Sequence, residues 1–468
     1  MTLNPFRIFD PEPQVRQIAF ELYSMVRDLP LISPHGHVEP RLLAENKPFP
    51  NPTELILIPD HYIYRLLYSQ GIPLATLGIP TLDGSRVEQD PRKIWQIFAD
   101  NFYLFAGTPT GIWLTQELEE VFGISEKLTT ANGQKIYEQL EAKLREPAFL
   151  PRKLFERFKL AVLTTTDAPA DPLVFHRQIR ASGWPGRVIP CFRPDALFEI
   201  NAPAWKSELT ALEKASGMAI GNFRQFISSL ENRRAYFKQC GAVSTDQGIE
   251  SPYTHYLSAS EIETIFQHAL RGSVSVQETC AFQAHMLMEM ARMSIADGLV
   301  MQIHAGVMRN HNRLVFEKFG INKGCDIPVT TEFTRNLAEL LNIFGNDPRL
   351  TLVVFTADES PYARELAPLA GHYPALKLGA AWWFHDSLQG MLRFREQVSE
   401  TASIYNTVGF TDDTRAFPSI PARHDLSRRV DATFLARQVT RHIIDMDDAQ
   451  RMIKALAYEL PWQVYKLG

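Results

Sequence analysis

The sequence predicts an α/β protein whose parallel strands and helices alternate in a (β/α)8 barrel of the TIM type, with a mostly helical domain inserted after the first strand. Three observations predict it. Short, apolar, β-rich runs recur eight times, separated mainly by stretches of helical periodicity. Most of the runs end in a polar or charged residue, as barrel strands do where they meet the loops that carry chemistry. A helical region of more than a hundred residues separates the first run from the second. An open, doubly wound sheet is the competing architecture, because periodicity alone does not close a ring. No Gly-x-Gly-x-x-Gly or Walker-type loop follows an early strand, which counts against a nucleotide-binding version of that sheet.

Taken in order, Asp10-Pro11 opens a helix, with Asp10 as N-cap and Pro11 in its first turn. Val15, Ile18, Leu22 and Met25 recur on one face. The first strand, residues 30–33, delivers the chain into His35-Gly36-His37. Residues two apart in extended backbone share a face, so both imidazoles can aim at one point, and neutral imidazole is a common ligand of divalent metals. Gly36 removes bulk beside that point. A turn with two surface histidines is the plain alternative. Apolar periodicity then predicts helices over 51–69, 91–105, 113–122 and 136–145, with an irregular loop at 73–84. These make up the insert, residues 41–154, and the barrel takes 1–40 and 155–468.

The remaining strands follow. Residues 161–166 lead into Asp167, 187–192 into Arg193-Pro194-Asp195, 240–245 into Asp246, and 299–303 into His304. Residues 351–355 lead into Thr356 and Asp358, 376–381 into Trp382, and 404–411 into Asp412-Asp413-Thr414-Arg415. Helical patterns such as 278–297 and 333–344 fill the gaps. Two histidines from strand one, His304 from strand five and an aspartate from strand eight form a candidate metal site, and they converge only if the barrel closes.

The chain has 468 residues, 45% of them hydrophobic and 22% charged, enough for a sizeable core and one or two domains. A net charge of −5 and a pI near 6.3 give no field that invites nucleic acid or a membrane surface. No apolar run approaches the roughly 18 residues of a membrane span, and the first 17 residues carry neither a cationic start nor an apolar run, so no secretory leader is expected. The four cysteines, Cys191, Cys240, Cys280 and Cys325, are far apart and read as reduced core or strand-end residues of a cytoplasmic protein.

The strand-end constellation is similar to that of the amidohydrolase superfamily of metal-dependent hydrolases. Further segments resemble one of its branches, the uronate isomerases: Asp60-His61-Tyr62, Thr165-Thr166-Asp167, Phe192-Arg193-Pro194-Asp195, residues 304–310, residues 378–386 with Trp382-Trp383-Phe384, residues 411–417, and Arg423-His424-Asp425. They occur in order over nearly the whole chain. The resemblance implies interconversion of a hexuronate aldose and its ketose, such as D-glucuronate and D-fructuronate or D-galacturonate and D-tagaturonate. It implies a divalent metal, with zinc expected, held by His35, His37, His304 and Asp413. It implies that Tyr62 and Arg415 join Asp413 in catalysis, and that Arg193, Arg309, Asp246, Trp382 and His61 line the substrate site. The small-molecule hexuronate is the expected partner, in a homo-oligomer.

There are departures. The family often has Asp-His-Gly after strand four, where this chain has Asp246-Gln247-Gly248, and Asp412 stands where a threonine is usual. The ligand is assigned to Asp413 from its spacing to Arg415 and Phe417, with Asp412 the alternative.

The chemistry stands on its own terms. A hexuronate carboxylate calls for planar donors, which arginine supplies bidentately. Aldose–ketose exchange moves a proton between neighbouring carbons through an enediol, which needs an acid, a base and charge stabilisation at the oxygens. Plainer readings sit beside these. Arg193 and Asp195 can pair across their loop; Trp383 and Phe384 read as core; His61, His311, His385 and His424 have no partner visible in sequence; Arg428-Arg429 reads as a solvated helix start. Two other functions compete: a lactonase-type hydrolase on the same barrel, disfavoured by the absence of a lysine at the end of strand four, and a non-catalytic sugar-acid binder, which would not need three histidines and an aspartate.

Overall fold

Parallel strands build the inner layer of this computed structural model, which describes residues 3–468. Strands β1 (Leu31–Ser33), β2 (Leu160–Thr164) and β3 (Val188–Ile189) pair in that order. Strands β4 (Ser244–Ile249) and β5 (Val300–Ala305) pair in register from Ser244↔Val300 to Ile249↔Ala305. Between β5 and the next long strand lies a two-residue antiparallel pair, β6 (Val307–Met308) with β7 (Ile327–Pro328). Strands β8 (Leu352–Thr356) and β9 (Leu376–Leu378) complete a second parallel sheet of order β4-β5-β8-β9. A single parallel bridge, Phe192↔Thr245, joins the two sheets, and another, Leu378↔Thr407, extends the second. Val408 N donates to Leu378 O, and His37 N donates to Thr414 O at 2.8 Å. The chain after β9 therefore runs from the edge of β9 to the end of β1.

Apolar side chains fill the space between strands: Ile32, Val162, Ile189, Val300, Val353, Phe355 and Val408 form one buried cluster with Tyr465 and Leu467 from the C-terminal segment. Tyr465 is fully buried there and satisfies its hydroxyl by donating to Gln302 Oε1 at 2.8 Å. A second cluster packs helices such as Val276–Asp297 against the outer faces of β5, β8 and β9. Between β1 and β2 the described elements are helical, and their core includes Trp95, Phe98, Tyr137 and Leu140. That core is continuous with Leu160, Phe417 and Ile420. No helix among the described residues is long and apolar enough to cross a membrane.

Several elements differ from the sequence reading. The first helix is Pro13–Val26, capped by Glu12, whose carboxylate accepts from Val15 N at 2.6 Å. Proline at the first helical position has no N–H to lose, so the start moves past Asp10, which instead pairs with Arg437 at 2.7 Å. The run 51–69 is broken at Pro59-Asp60 into a π-helical turn, Thr53–Leu57, and a helix, His61–Ser69. Cys240 and Gly241 (φ 96°) end the helix Phe223–Gln239, so β4 begins only at Ser244 and Asp246 lies inside it. Residues 404–411 do not form a strand. Ile404–Asn406 is a 3₁₀ turn, Ser403 (φ 59°) and Gly409 (φ 79°) are left-handed, and the ladder is limited to Thr407. Arg395, paired at 2.7 Å with buried Asp431, donates to Gly409 O in place of a neighbouring strand.

Arg428 and Arg429 are buried in the helix Ile420–Thr440 rather than solvated. Arg428 donates to the carbonyls of Arg27, Leu29 and Pro30, and Arg429 pairs with Asp425 and donates to Pro5 O. All four cysteines are free; Cys191 and Cys240 are buried and Cys325 half-buried, but Cys280 is on an exposed helix face rather than in the core.

Candidate active site

β1 ends at Ser33 and aims the next residues into a cavity of about 850 Å³. The His35-Gly36-His37 tripeptide is held on both sides: Thr166 Oγ1 donates to Gly36 O at 2.8 Å, and His37 N to Thr414 O. His304 enters from β5, and its ring stacks on His35 with centroids 4.7 Å apart. Asp413 completes the cluster from a left-handed backbone (φ 42°), a conformation that non-glycine residues adopt chiefly where the surroundings impose it. Its Oδ1 lies 3.1 Å from His37 Nε2 and 3.5 Å from His35 Nε2, while Oδ2 accepts from Trp382 Nε1 at 2.9 Å.

Two overlapping groups have the spacing to hold a metal ion, His35–His37–Asp413 and His35–Asp246–His304. In the second, Asp246 is already committed. One oxygen lies 2.6 Å from His304 Nδ1 and the other 3.0 Å from Arg193 Nη1. A carboxylate on the far nitrogen of an imidazole is how metal-ligating histidines are usually oriented. His304 Nε2, His35 Nδ1 and Asp413 Oδ1 are left buried without hydrogen-bond partners.

Burial pushes the His37 imidazole down to about 3, with the Arg415 charge adding to the effect, and burial also lowers His35 against the pull of Asp246. Both rings are therefore neutral at neutral pH, the ligating form. Burial would raise the Asp413 carboxyl, but the contact from His37 and the charge that His37, His35 and His304 take on in acid hold it well below the ordinary carboxylate range, so it is ionised at neutral pH.

A wall of arginines faces this cluster. Arg193 follows Phe192 and is fixed by Asp195 at 2.7 Å as well as by Asp246, so the pairing across its loop does form. Arg309 follows β6, pairs with Asp326 at 3.0 Å and lies 5.1 Å from the centroid of Trp383. The two guanidinium tips meet over Gly248. Arg415, two residues beyond Asp413, also lines the cavity, and no ion pair or hydrogen bond engages its side chain among the described residues.

Tyr62 and His61 come from the first turn of the His61–Ser69 helix, whose N-cap Asp60 accepts from Tyr62 N at 2.9 Å. Burial pushes the Tyr62 phenol well above its ordinary value, so it keeps its proton. His61 is buried in the cavity wall with both ring nitrogens unpartnered, and burial holds it neutral. Arg423, which also lines the cavity, lies 5.8 Å from the Tyr62 ring centroid, with Nη1 donating to Asp386 at 2.8 Å. Asp412 turns the other way: it accepts from Ser33 Oγ at 3.1 Å and lies 3.4 Å from His424 Nε2, outside the cavity lining.

A family model described as glucuronate isomerase matches residues 14–465. The chain belongs to the glucuronate isomerase family. It is 53% identical to a uronate isomerase of Nostoc punctiforme over 466 residues, which is 99% of this chain and 98% of that one. The crystal structure of glucuronate isomerase from Caulobacter crescentus superposes with a TM-score of 0.98 at 47% identity, covering 100% of this chain and 97% of that one. The structure of uronate isomerase from Thermotoga maritima gives 0.92 at 25% identity, covering 99% and 100%.

In this member of the glucuronate isomerase family the structure brings His35, His37, His61, Tyr62, Arg193, His304, Arg309, Trp382, Asp413 and Arg415 to one cavity, with Asp246 directly beneath His304. Sequence reasoning placed Trp383 in the core, but it lines the cavity too. Its backbone is left-handed (φ 54°) and its Nε1 is buried and unpartnered. The signal was its place directly after the last residue of an apolar run, where a turn can swing consecutive side chains to the same space. Phe384 stacks on Trp383 at 5.3 Å, with the Arg65 guanidinium on its own ring. Gln247 is buried, and neither atom of its amide has a partner. Asp326, 17 residues from the arginine it fixes, carried no sequence signal.

Proposed function

We propose that this protein interconverts a hexuronate aldose and its ketose, D-glucuronate with D-fructuronate or D-galacturonate with D-tagaturonate, by proton transfer through an enediol. The observation that carries the reading is one cavity holding an ionised Asp413 beside His35, His37 and His304, with a protonated Tyr62 and with Arg193, Arg309 and Arg415.

The donors suit a divalent metal. His35, His37, His304 and Asp413 would hold it, since they converge and leave buried nitrogen and oxygen atoms without partners. A mixed N/O set suits zinc. When bound, such a metal polarises the substrate's carbonyl and hydroxyl oxygens. Asp246 orients His304 for that role. The chain's own groups do the rest. Arg193 and Arg309, pre-set by Asp195 and Asp326, hold the carboxylate. Trp382 offers its face to the sugar's C–H surface, and His61 and Trp383 offer buried hydrogen-bonding groups to its hydroxyls. Asp413 removes the proton from C2 and returns it toward C1. Arg415, free of any acid, steadies the negative charge that develops on the enediol oxygens, while Tyr62 gives its hydroxyl proton to the oxygen on C1 and takes back the proton of the C2 hydroxyl as the ketose carbonyl forms.

We read the strand arrangement as a (β/α)8 barrel with residues 41–154 inserted after β1. The bridges at Phe192 and Thr407 and the bond from His37 to Thr414 support closure. Exposed Leu314 and Phe316 support a homo-oligomer, and four free cysteines suit the cytoplasm. The lactonase alternative is not favoured: the family match spans nearly the whole chain.

Incubation with D-glucuronate and D-galacturonate, with a divalent metal supplied, tests the reading by the appearance of ketose. Both uronates left unchanged, together with opening of a sugar lactone, would overturn it.

A further inference from the structure

Glu117 is a buried acid that this chemistry does not use. It opens the π-helical turn Glu117–Val121, which continues the helix Pro109–Gln116. Its side chain is buried, and Oε2 has no hydrogen-bond partner. The charged groups that face it are Asp60, the cap of the Tyr62 helix, and Arg423. Arg423 is in turn faced by Asp60, Asp386, Asp412 and the Tyr62 phenol, with His424 beyond Asp412. Its guanidinium stacks 3.7 Å above the ring of Trp113, one helical turn before Glu117, and Trp113 meets Tyr62 edge-on at 6.1 Å. Packed groups thus connect Glu117 to Tyr62.

The charges do not balance if every acid is ionised. The side chains of Asp60, Glu117 and Asp386 are all buried and all feel the Arg423 charge, and an unpaired buried carboxylate is costlier than a retained proton. Asp60 accepts from Tyr62 N, and Asp386 is bonded to Arg423. Burial raises all three, Asp386 to about 7 despite its bond to Arg423; Glu117, whose Oε2 has no donor, keeps its proton to higher pH than Asp386. Burial pushes its carboxyl up to about 8, with Asp60 adding and Arg423 opposing.

We propose that Glu117 is a positioning residue for Tyr62. As the neutral acid it leaves Arg423 bonded to Asp386 and seated beside the Tyr62 ring; as a carboxylate it draws Arg423 toward itself and withdraws that support. The inference rests on Tyr62 serving the isomerisation.

The test is kcat against pH for wild type and Glu117→Gln, which keeps the shape and cannot ionise. With a group titrating near 8, wild type loses about tenfold in kcat between pH 7 and 9, and E117Q flattens that fall to about twofold. Superimposable profiles would overturn the proposal. A second measurement needs no turnover. An acid whose folded-state value is raised binds more protons folded than unfolded, so its contribution to stability is lost as pH rises from about 4 toward 8. The thermal midpoint of E117Q minus that of wild type should therefore widen across that window, and a constant difference would overturn the neutral-acid assignment. Absence of uronate turnover in wild type would count against the isomerase reading instead, with the thermal comparison still deciding Glu117.

Discussion

Gly248 tests the arginine clamp with a single methyl group. A Cβ built there lies 2.7 Å from Arg193 Nη2, 2.7 Å from Asp195 Oδ2 and 3.4 Å from Arg309 Nη2. Non-bonded heavy atoms prefer about 3.5–4.0 Å, so alanine pushes the Arg193–Asp195 pair aside by about 1 Å. The Gly248 backbone lies outside the left-handed region, so alanine adds no backbone strain and the perturbation stays with the side chains. Arg193 cannot absorb it freely, because Asp195 and Asp246 fix its Nε and Nη1. A charge-assisted hydrogen bond is worth about 1.5–3 kcal/mol. Losing one to the substrate carboxylate lowers kcat/KM by about ten- to 150-fold. Initial rates over a range of D-glucuronate concentration read the effect, and the loss should fall mainly on KM, since the carboxylate is bound alike in ground and transition states. Circular dichroism and the thermal midpoint control for folding. A well-folded Gly248→Ala protein with wild-type kcat/KM would refute the clamp.

Other perturbations address separate parts of the account. His35→Ala combined with His37→Ala should lower the divalent metal content measured by elemental analysis, and unchanged content would remove both from the ligand set. Asp413→Asn keeps the shape and one oxygen but not the base; it should fold and lose about 10²–10⁴ in kcat, whereas near-wild-type turnover would leave Asp413 without a proton-transfer role. Asp167 is buried and accepts from Thr165 Oγ1 at 2.7 Å, and burial pushes its carboxyl up to about 7. Because that value is raised on folding, its contribution to stability is fullest below about 4 and is lost by pH 7. Asp167→Asn should therefore gain on wild type in thermal midpoint between pH 4 and 8, and a parallel pair of curves would contradict the assignment.

What the sequence makes legible is set by range. His35, His37 and His304 stand beside apolar runs that do form strands, and because that character is local their placement near strand ends can be read from neighbours. The end of the last run cannot. Residues 404–411 are β-rich, yet Ser403, Gly409 and the reach of Arg395 from another helix break the ladder after Thr407. The burial of Arg428 depends on carbonyls about 400 residues away, which no local pattern reports. Asp412 and Asp413 are alike in sequence; the left-handed turn at Asp413 sends one to the imidazoles and leaves the other with Ser33. Trp383 joins the cavity by the same kind of turn.

The most direct measurement of the central claim is proton NMR of D-glucuronate with the metal-supplied protein in D₂O. The account predicts D-fructuronate carrying solvent deuterium at C1 in at least part of the product, because an enediol route exposes the migrating proton to exchange at Asp413. Ketose that retains protium at C1 completely would contradict proton transfer through an enediol.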